Sequence, residues 1–267
     1  MNRIDKKFTE LKTSGKKAVS VFLTAGFPNL EATDQLVSGL AESGVDIFEI
    51  GFPFSDPIAD GPTIQKSSEA ALSGGMTWNK LMHTVRKIRA KTEVPLVLMT
   101  YANAMLCRGW KRSALEMARA GFDGVIVPDL IPEEASEIEK EFHRVGLHLI
   151  YLLAPTSSDK RIRKAAQKSS GFIYCVSVTG VTGTRAVLPK TEIKAFLRRV
   201  RKHSPVPVLL GFGISTPGHI HAFRDCADGF IIGSALIQLL ENQKTSSSLI
   251  KEAKNFILPF IRVCKAR

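Results

Sequence analysis

Residues 18–51 read AVSVFLTAGFPNLEATDQLVSGLAESGVDIFEIG, and this stretch contains the pattern that decides the fold. It begins and ends with continuous apolar runs, at 18–24 and 46–51. Between them, residues 29–44 carry apolar side chains on one helical stripe and close on a glycine. Continuous rather than alternating apolar runs are typical of strands buried on both faces of a parallel sheet. The stretch therefore predicts a strand, a helix and a second, parallel strand.

The same apolar run recurs along the whole chain, separated by helical patterns. The eight runs span residues 18–24, 46–51, 95–100, 123–128, 147–153, 171–176, 206–211 and 228–233. Eight β-α units in 267 residues predict an α/β protein, a (β/α)8 TIM barrel forming a single domain over residues 1–267, with an extra N-terminal helix. An open doubly wound sheet stays an alternative, because periodicity does not show closure.

Composition narrows the class of protein. With 44% hydrophobic and 23% charged residues, the chain is typical of a globular protein and not of a disordered one. The four cysteines form no C-x-x-C pair, and residues 1–17 are charged without an apolar core. These features argue against a zinc site, a disulfide framework and a secretory signal, so we expect a cytoplasmic location. The longest charge-free stretch, residues 204–223, contains three prolines and three glycines and is unsuited to a membrane span.

The net charge of +12 raises the question of nucleic-acid binding. Most of the excess lies between residues 159 and 202, with twelve basic and two acidic residues. There the basic side chains alternate with apolar ones at helical spacing, and no aromatic residues interleave with them as a stacking platform. The pattern favours solvated outer helix faces over a nucleic-acid site.

Two connections are longer than a barrel needs, and both begin at the C-terminal end of a predicted strand. They follow the second strand, at residues 52–75, and the sixth strand, at residues 177–190. Barrel enzymes place their active sites at this end of the strands. Long loops in this position are more often functional than decorative.

Three carboxylates accompany the first long loop. Glu49 lies within an apolar strand on the same side as Ile47, where an acid is costly unless it is hydrogen-bonded, shifted in pKa or used. It is either a general acid/base or a carboxylate that reaches solvent at the strand end or pairs with a basic residue. Asp56 fits a turn or an interface. Asp60 either caps a helix that starts at Pro62 or contacts a substrate directly.

Glycine-rich segments follow the last three strands. They are TGVTGT (179–184), GFGIS (211–215) and GSA (233–235). Glycines at strand ends let backbone N–H groups approach an anion, and a helix that starts after Gly233 adds its N-terminal dipole. Barrel phosphate sites are frequently built from the loops after strands seven and eight. Their coincidence predicts a phosphate site, although glycine also ends strands for geometric reasons.

No metal or nucleotide motif is apparent. The sequence contains no H-E-x-x-H, Walker P-loop or strand-to-helix G-x-G-x-x-G. His219 and His221 lie two residues apart on a predicted helix and point to different sides, which makes them a poor metal pair. We therefore expect no cofactor.

Several stretches together resemble the tryptophan synthase alpha subunit family. In family order they are TAGFPN (24–29), EIGFPFSDPIADGPTIQ (49–65), APTSSDKRI (154–162), SVTGVTGTR (177–185), GFGIS (211–215) and IGSAL (232–236). The resemblance runs from the N-terminus to about Leu240. Other phosphate-binding barrels share the glycines but not the acidic loop.

The resemblance implies a lyase that cleaves indole-3-glycerol phosphate to indole and D-glyceraldehyde 3-phosphate by a retro-aldol step. It assigns the acid/base role to Glu49 and the contact with the indole N–H to Asp60. The implied indole pocket consists of Phe22, Ile64, Met99, Tyr101, Ile126, Tyr174, Thr182 and Phe212. The implied phosphate contacts are Gly183, Gly213, Gly233 and Ser234. For any one apolar member of the pocket, plain core packing stays an alternative. The stretch 177–185 is implied to be a mobile lid.

The resemblance also implies a partner, the tryptophan synthase beta subunit. In the family this pyridoxal phosphate enzyme receives indole through an internal tunnel in an α2β2 heterotetramer, while the alpha chain binds no cofactor. The loop around Asp56 and Pro57 and the segment near Asn103 resemble its contact surface. Residues 102–110, Thr184 and the high positive charge depart from the common family pattern.

Three other functions stay open on the residues alone. Another phosphosugar barrel, such as a phosphoribosylanthranilate isomerase-like protein, would share the glycine loops. A catalytically silent subunit could act by docking on a partner. A basic nucleic-acid binder would show steep salt dependence in its retention on DNA.

Overall fold

In the computed structural model, which describes residues 1–177, 189–241, 243 and 246–266, all eight predicted apolar runs form strands. Every strand pairs in parallel with its neighbours. The strands are β1 (Ala18–Thr24), β2 (Ile47–Gly51), β3 (Leu96–Met99), β4 (Gly124–Ile126), β5 (His148–Ile150), β6 (Leu152–Leu153), β7 (Ile173–Val176), β8 (Val208–Gly211) and β9 (Gly229–Ile232).

The sheet closes on itself through the fifth predicted run. That run is split at Tyr151 into β5, which pairs with β4, and β6, which pairs with β7. The strand order is β5-β4-β3-β2-β1-β9-β8-β7-β6. Because β5 and β6 are consecutive parts of one segment, the two ends of this order meet. The (β/α)8 barrel is confirmed, and the open sheet is wrong.

Helices surround the cylinder. They are α1 (Arg3–Thr13), α2 (Ala32–Glu42), α3 (Pro62–Ser73), α4 (Trp78–Arg89), α5 (Ala102–Leu106), α6 (Trp110–Ala120), α7 (Ser136–Arg144), α8 (Asp159–Lys168), α9 (Lys190–His203), α10 (Pro217–Phe223), α11 (Ser234–Glu241) and α12 (Ser246–Lys265). Neighbouring helices pack on one another, as α2 does on α4 and α12. Across the described residues, no helix combines the length and the apolar character needed to cross a membrane.

The connection after β2 differs from the prediction of one long loop over residues 52–75. Helix α3 occupies Pro62–Ser73, with Pro62 in its first turn and Gly61 at its N-cap, so the predicted start at Pro62 is confirmed and the alternative of Asp60 as its cap is wrong. Proline is favoured there because its fixed φ suits the helix and its missing N–H has no intrahelical acceptor to lose. The irregular loop is therefore residues 52–61. The predicted loop after the sixth run lies mostly at 178–188, outside the described residues.

At the N-terminal end of the barrel, the same type of hydrogen bond joins neighbouring strands at four places. In each of them, a side chain just before one strand accepts a hydrogen bond of 2.8 to 3.0 Å from a backbone N–H of the barrel strand that precedes it. The acceptors are Asp46, Asp123, Ser170 and Asp228. Asp123 also binds Arg3 and Arg89. These three aspartates and one serine link neighbouring strands. They lie at the end of the barrel opposite to the one where barrel enzymes have their active sites.

Candidate active site

At the C-terminal ends of the strands lies a cavity with largely apolar walls. Nine of the predicted site residues line it: Phe22, Asp60, Ile64, Met99, Tyr174, Phe212, Gly213, Gly233 and Ser234. Ile214, Ile231 and Ala235 also line it and are absent from the sequence prediction. A smaller cavity shares Phe22, Asp60, Ile64 and Met99 with the first, and Tyr101 lines it. Apolar walls with a few polar groups are typical of sites for small organic molecules.

The other predicted site residues lie elsewhere. Ile126 is fully buried in β4 and lines neither cavity. Thr182 and Gly183, with the predicted lid, lie outside the described residues. Glu49 lies within the barrel, close to the first cavity but not in its lining.

Glu49 is a fully buried acid. Its Oε1 accepts a hydrogen bond of 2.8 Å from the Ser20 hydroxyl, and its Oε2 has no hydrogen-bond partner among the residues that the structure describes. Removal from water disfavours the charged carboxylate, so burial raises the pKa of Glu49 to about 8, against a smaller lowering by Ser20. Both alternative predictions for Glu49 are wrong among the described residues: its side chain is fully buried and does not reach solvent, and no basic side chain there pairs with it. An acid with this pKa holds its proton at neutral pH and can donate it.

The aromatic ring of Phe22 lies between Glu49 and the cavity. Phe22 on β1 lies opposite Glu49 on β2, and the cavity is lined by Phe22. The ring of Phe22 packs so closely against Gly51 that a Cβ atom there would collide with it. Gly51 is two residues beyond Glu49 and therefore faces the same side of the strand. The ring thus lies just above Glu49, at the level where the strand opens into the cavity.

Asp60 is the carboxyl group that faces the cavity directly. It is 8% exposed, and its Oδ2 accepts a hydrogen bond of 3.0 Å from the Tyr101 hydroxyl. That hydroxyl in turn accepts from the backbone N–H of Ala59 at 3.0 Å. Burial raises the pKa of Asp60 to about 6, while the bond from Tyr101 lowers it. Near neutral pH, Asp60 is therefore mainly a carboxylate and Glu49 mainly an acid.

Tyr174 closes the inner wall of the cavity. Its ring packs edge-on against Phe212 at 5.8 Å between centroids. Its hydroxyl occupies the space that a Cβ atom would take at Gly211, so only glycine fits there. Burial and the nearby carboxyl groups of Glu49 and Asp60 raise the pKa of Tyr174 well above its usual value.

The glycine segments form the edge of the cavity beside β8 and β9. Phe212 and Gly213 both adopt the left-handed conformation, with φ of 60° and 74°, and the Ser177 hydroxyl donates to the Phe212 carbonyl. Helix α11 begins at Ser234, which lines the cavity together with Gly233. The first N–H groups of a helix have no intrahelical acceptor and carry the positive end of its dipole. This edge can therefore hold an anionic group.

Sequence reasoning missed Ser20, although a signal for it exists. Ser20 is a polar residue in an otherwise apolar strand, two places before Phe22 and on the same side of β1. Within the described residues, no three His, Cys, Asp or Glu side chains cluster as metal ligands would.

The closed barrel, with an apolar cavity at the C-terminal ends of its strands and two shielded carboxyl groups beside it, has the features of a (β/α)8-barrel enzyme. The family model for the tryptophan synthase alpha chain matches residues 8–260. A tryptophan synthase alpha chain from Geobacter sulfurreducens is 48% identical over 257 residues, covering 96% of this chain and 97% of the relative. One from a Thermoanaerobacter species is 44% identical over 257 residues, with the same coverages of 96% and 97%.

Solved structures agree with the sequence comparisons. Tryptophan synthase subunit alpha from Legionella pneumophila superposes with a TM-score of 0.90 at 35% identity, covering 99% of this chain and 98% of that one. A chain of Mycobacterium tuberculosis tryptophan synthase gives 0.90 at 32% identity, covering 100% and 99%. The chain belongs to the tryptophan synthase alpha chain family. This membership makes it a lyase of tryptophan biosynthesis.

Proposed function

We propose that this chain cleaves indole-3-glycerol phosphate to indole and D-glyceraldehyde 3-phosphate, with Glu49 as the acid/base. The observation that carries the proposal is the Glu49 carboxyl group, which is fully buried on the barrel interior beside the cavity. Its pKa is raised to about 8, and its Oε2 has no partner within the described part of the chain. A buried acid without a balancing cation is costly to maintain, and such groups are concentrated at functional sites.

The reaction needs one proton moved from oxygen to carbon. The Glu49 acid gives its proton to C3 of the indole ring, which leaves a positive charge on the ring nitrogen. The Glu49 carboxylate then removes the proton of the hydroxyl on the carbon attached to C3. The bond between C3 and that carbon breaks, its electron pair restores the aromatic ring, and the oxygen becomes the aldehyde oxygen. Glu49 ends protonated, as it began.

Asp60 supplies the charge that this intermediate requires. Its carboxylate faces the cavity and, with a pKa near 6, is ionised when Glu49 still holds its proton. A carboxylate beside the ring N–H stabilises the positive charge that forms there, and does so strongly in a site with little water. The bond from Tyr101 fixes the carboxylate in place.

The remaining groups of the cavity suit the rest of the substrate. Phe22, Met99 and Tyr174 form apolar walls for a bicyclic ring, while Gly213, Gly233 and Ser234 form the edge suited to a phosphate. Both ends belong to one cavity, so a molecule with an aromatic ring and a phosphate can occupy them together.

The direct test is indole formation from indole-3-glycerol phosphate by the purified chain, with and without a beta subunit. We expect indole and glyceraldehyde 3-phosphate in equal amounts, faster with the beta subunit. Conversion of phosphoribosylanthranilate without indole formation would favour the isomerase alternative. Absence of indole in both conditions, with stimulation of the beta subunit intact, would identify a silent docking subunit.

We further propose that the partner is a tryptophan synthase beta subunit, in an α2β2 assembly, and that it docks beside the acidic loop. Ile58 is 77% exposed on this loop and Leu106 is 56% exposed at the end of α5, an unusual exposure for large apolar side chains. The loop and the residues before α5 are tied together, because the Tyr101 hydroxyl binds both Ala59 and Asp60. A partner on this surface would lie next to the substrate cavity.

Replacing Ile58 with aspartate is expected to weaken binding of the beta subunit by at least tenfold, because a charge replaces an apolar contact at the interface. Leu106→Asp should act in the same direction. Leu72→Asp is the matched control, since Leu72 is 36% exposed but lies on α3. Titration calorimetry of each variant with the beta subunit measures the effect. Equal affinities for all three variants would place the partner elsewhere.

A further inference from the structure

The Glu49 carboxyl group lies deeper in the barrel than the cavity that it is proposed to serve. Ser20 lies opposite Ile47 in the β1–β2 register, whereas Phe22 lies opposite Glu49. A hydrogen bond to Ser20 therefore draws the carboxyl toward the level of Ile47, away from the C-terminal end of the strands. In agreement with this, Glu49 is fully buried and absent from the cavity lining, while Phe22 lines the cavity.

We propose that Ser20 is a positioning residue that holds Glu49 in a retracted resting position, from which the carboxyl must move to reach the substrate. The inference rests on the proposed function, which needs the Glu49 proton at the indole ring. Its geometry is the 2.8 Å bond between the Ser20 hydroxyl and Oε1, with both residues at 0% exposure. Because Oε2 has no hydrogen-bond partner among the described residues, the bond from Ser20 is the one hydrogen bond there that holds the carboxyl group in this position.

A single neutral hydroxyl suits a resting contact. One hydrogen bond contributes a modest net free energy, so substrate binding can break it, whereas a salt bridge in the same place would hold the carboxylate ionised and fixed. The hydroxyl donor also favours the ionised form of Glu49 and so opposes the effect of burial on its pKa. In the free protein, Ser20 thus holds the Glu49 carboxyl group in place and lowers its pKa. Both effects are lost once the carboxyl group moves away from Ser20.

Among the residues that the structure describes, few other groups can govern the titration of Glu49. In that part of the chain, Tyr174 on β7 and Asp60 on the loop after β2 are the titratable groups coupled to this region of the interior. The adjacent strands β1 and β3 carry no acidic or basic side chain, as their sequences AVSVFLT and LVLM show. His148 on β5 binds Asp5 on α1. Cys175 on β7 is also buried, and burial raises its pKa.

The test compares the pH dependence of kcat/KM with that of kcat in Ser20→Ala. The first reports groups of the free protein and the second those of the substrate complex. We expect the alkaline limb of kcat/KM to move up by about one pH unit or more, since bonds to charged groups are worth more than neutral ones. The limb of kcat should stay in place. On the plateau, kcat/KM should rise by about two- to tenfold, because the resting state has lost one hydrogen bond.

Two further variants control for packing. Ser20→Cys keeps the volume with a weaker donor and should give a smaller change in the same direction. Ser113→Ala removes another fully buried hydroxyl, on α6, and should leave both pH profiles unchanged. A fall in kcat with a shift in its alkaline limb would mean that Ser20 holds the working position, and would overturn the proposal. If the pH profiles of kcat/KM and kcat are unchanged in Ser20→Ala, Ser20 contributes only to packing and the proposal is wrong.

An infrared measurement separates this inference from the proposed function. The carbonyl band of the Glu49 acid, identified by its loss in Glu49→Gln, should titrate at higher pH in Ser20→Ala than in the parent chain without any substrate. If the parent chain forms no indole, the proposed function fails, yet this band still reports the contact. If indole forms and the band titrates identically in both proteins, the role of Ser20 fails alone.

Discussion

Replacing Glu49 with glutamine is expected to lower kcat for indole formation by about 10²- to 10⁴-fold, the usual contribution of a positioned acid/base. Glutamine has nearly the same size and can accept the Ser20 hydrogen bond through its amide oxygen, but it has no proton of suitable acidity to give to C3. Because the wild-type acid is held neutral by burial, the neutral amide should not disturb the barrel. The loss should therefore appear in kcat and not in the folded fraction.

The measurement is the rate of indole release at saturating substrate, with thermal unfolding recorded in parallel. Glu139→Gln is the matched control, since that glutamate on α7 binds Tyr151 and Lys168 far from the cavity. We expect its kcat to stay near that of the parent chain. A Glu49→Gln protein that keeps its rate to within about tenfold would remove Glu49 from the acid/base role.

The strands of the barrel could be predicted because each one is identifiable from its own segment of the sequence. Each apolar run is buried on both faces, so eight separate runs mark eight strand positions without knowledge of their partners. Closure could not be predicted in the same way. It depends on the division at Tyr151, where two short strands of one run bind different neighbours. The start of helix α3 at Pro62 could be predicted from its proline, whereas its extent to Ser73 could not.

The site could be predicted in part, for a physical reason that differs between its two acids. Glu49 stands out because a charged residue inside an apolar strand is costly wherever that strand lies. Asp60 looks like an ordinary turn residue, and its burial depends on Tyr101, 41 residues further along the chain. Ser20 can be noticed as a polar residue within β1, but its role could not be predicted, because only the register of β1 on β2 brings its hydroxyl to Glu49. A residue that is unusual for its own segment can be recognised in the sequence. A contact between residues that the fold brings together can be recognised only in the structure.

The two acids divide the work because their surroundings differ. Glu49 is surrounded by barrel side chains and is held protonated to about pH 8, while Asp60 has a tyrosine donor and ionises near pH 6. The proposed reaction needs the first as an acid and the second as a carboxylate. Activity should therefore rise as pH increases through about 6 and fall as it increases through about 8.

Replacing Asp60 with asparagine is expected to lower kcat by about 10²- to 10³-fold, comparable to the loss of one charge-stabilising group in other active sites. Asparagine can still accept from Tyr101, but it carries no charge to stabilise the cation on the ring nitrogen. Because asparagine does not ionise in this range, the acidic limb of the pH profile near 6 should disappear. The alkaline limb belongs to Glu49 and should remain.

Tyr101→Phe provides the complementary variant, since it keeps the ring stacked on Phe54 and removes only the hydroxyl. That hydroxyl stabilises the ionised form of Asp60, so its loss should raise the pKa of Asp60 and move the acidic limb to higher pH. The two variants thus act on the same limb in different ways: asparagine abolishes it and phenylalanine displaces it. An acidic limb that persists unchanged in Asp60→Asn would belong to another group, and Asp60 would then have no part in stabilising the indole cation.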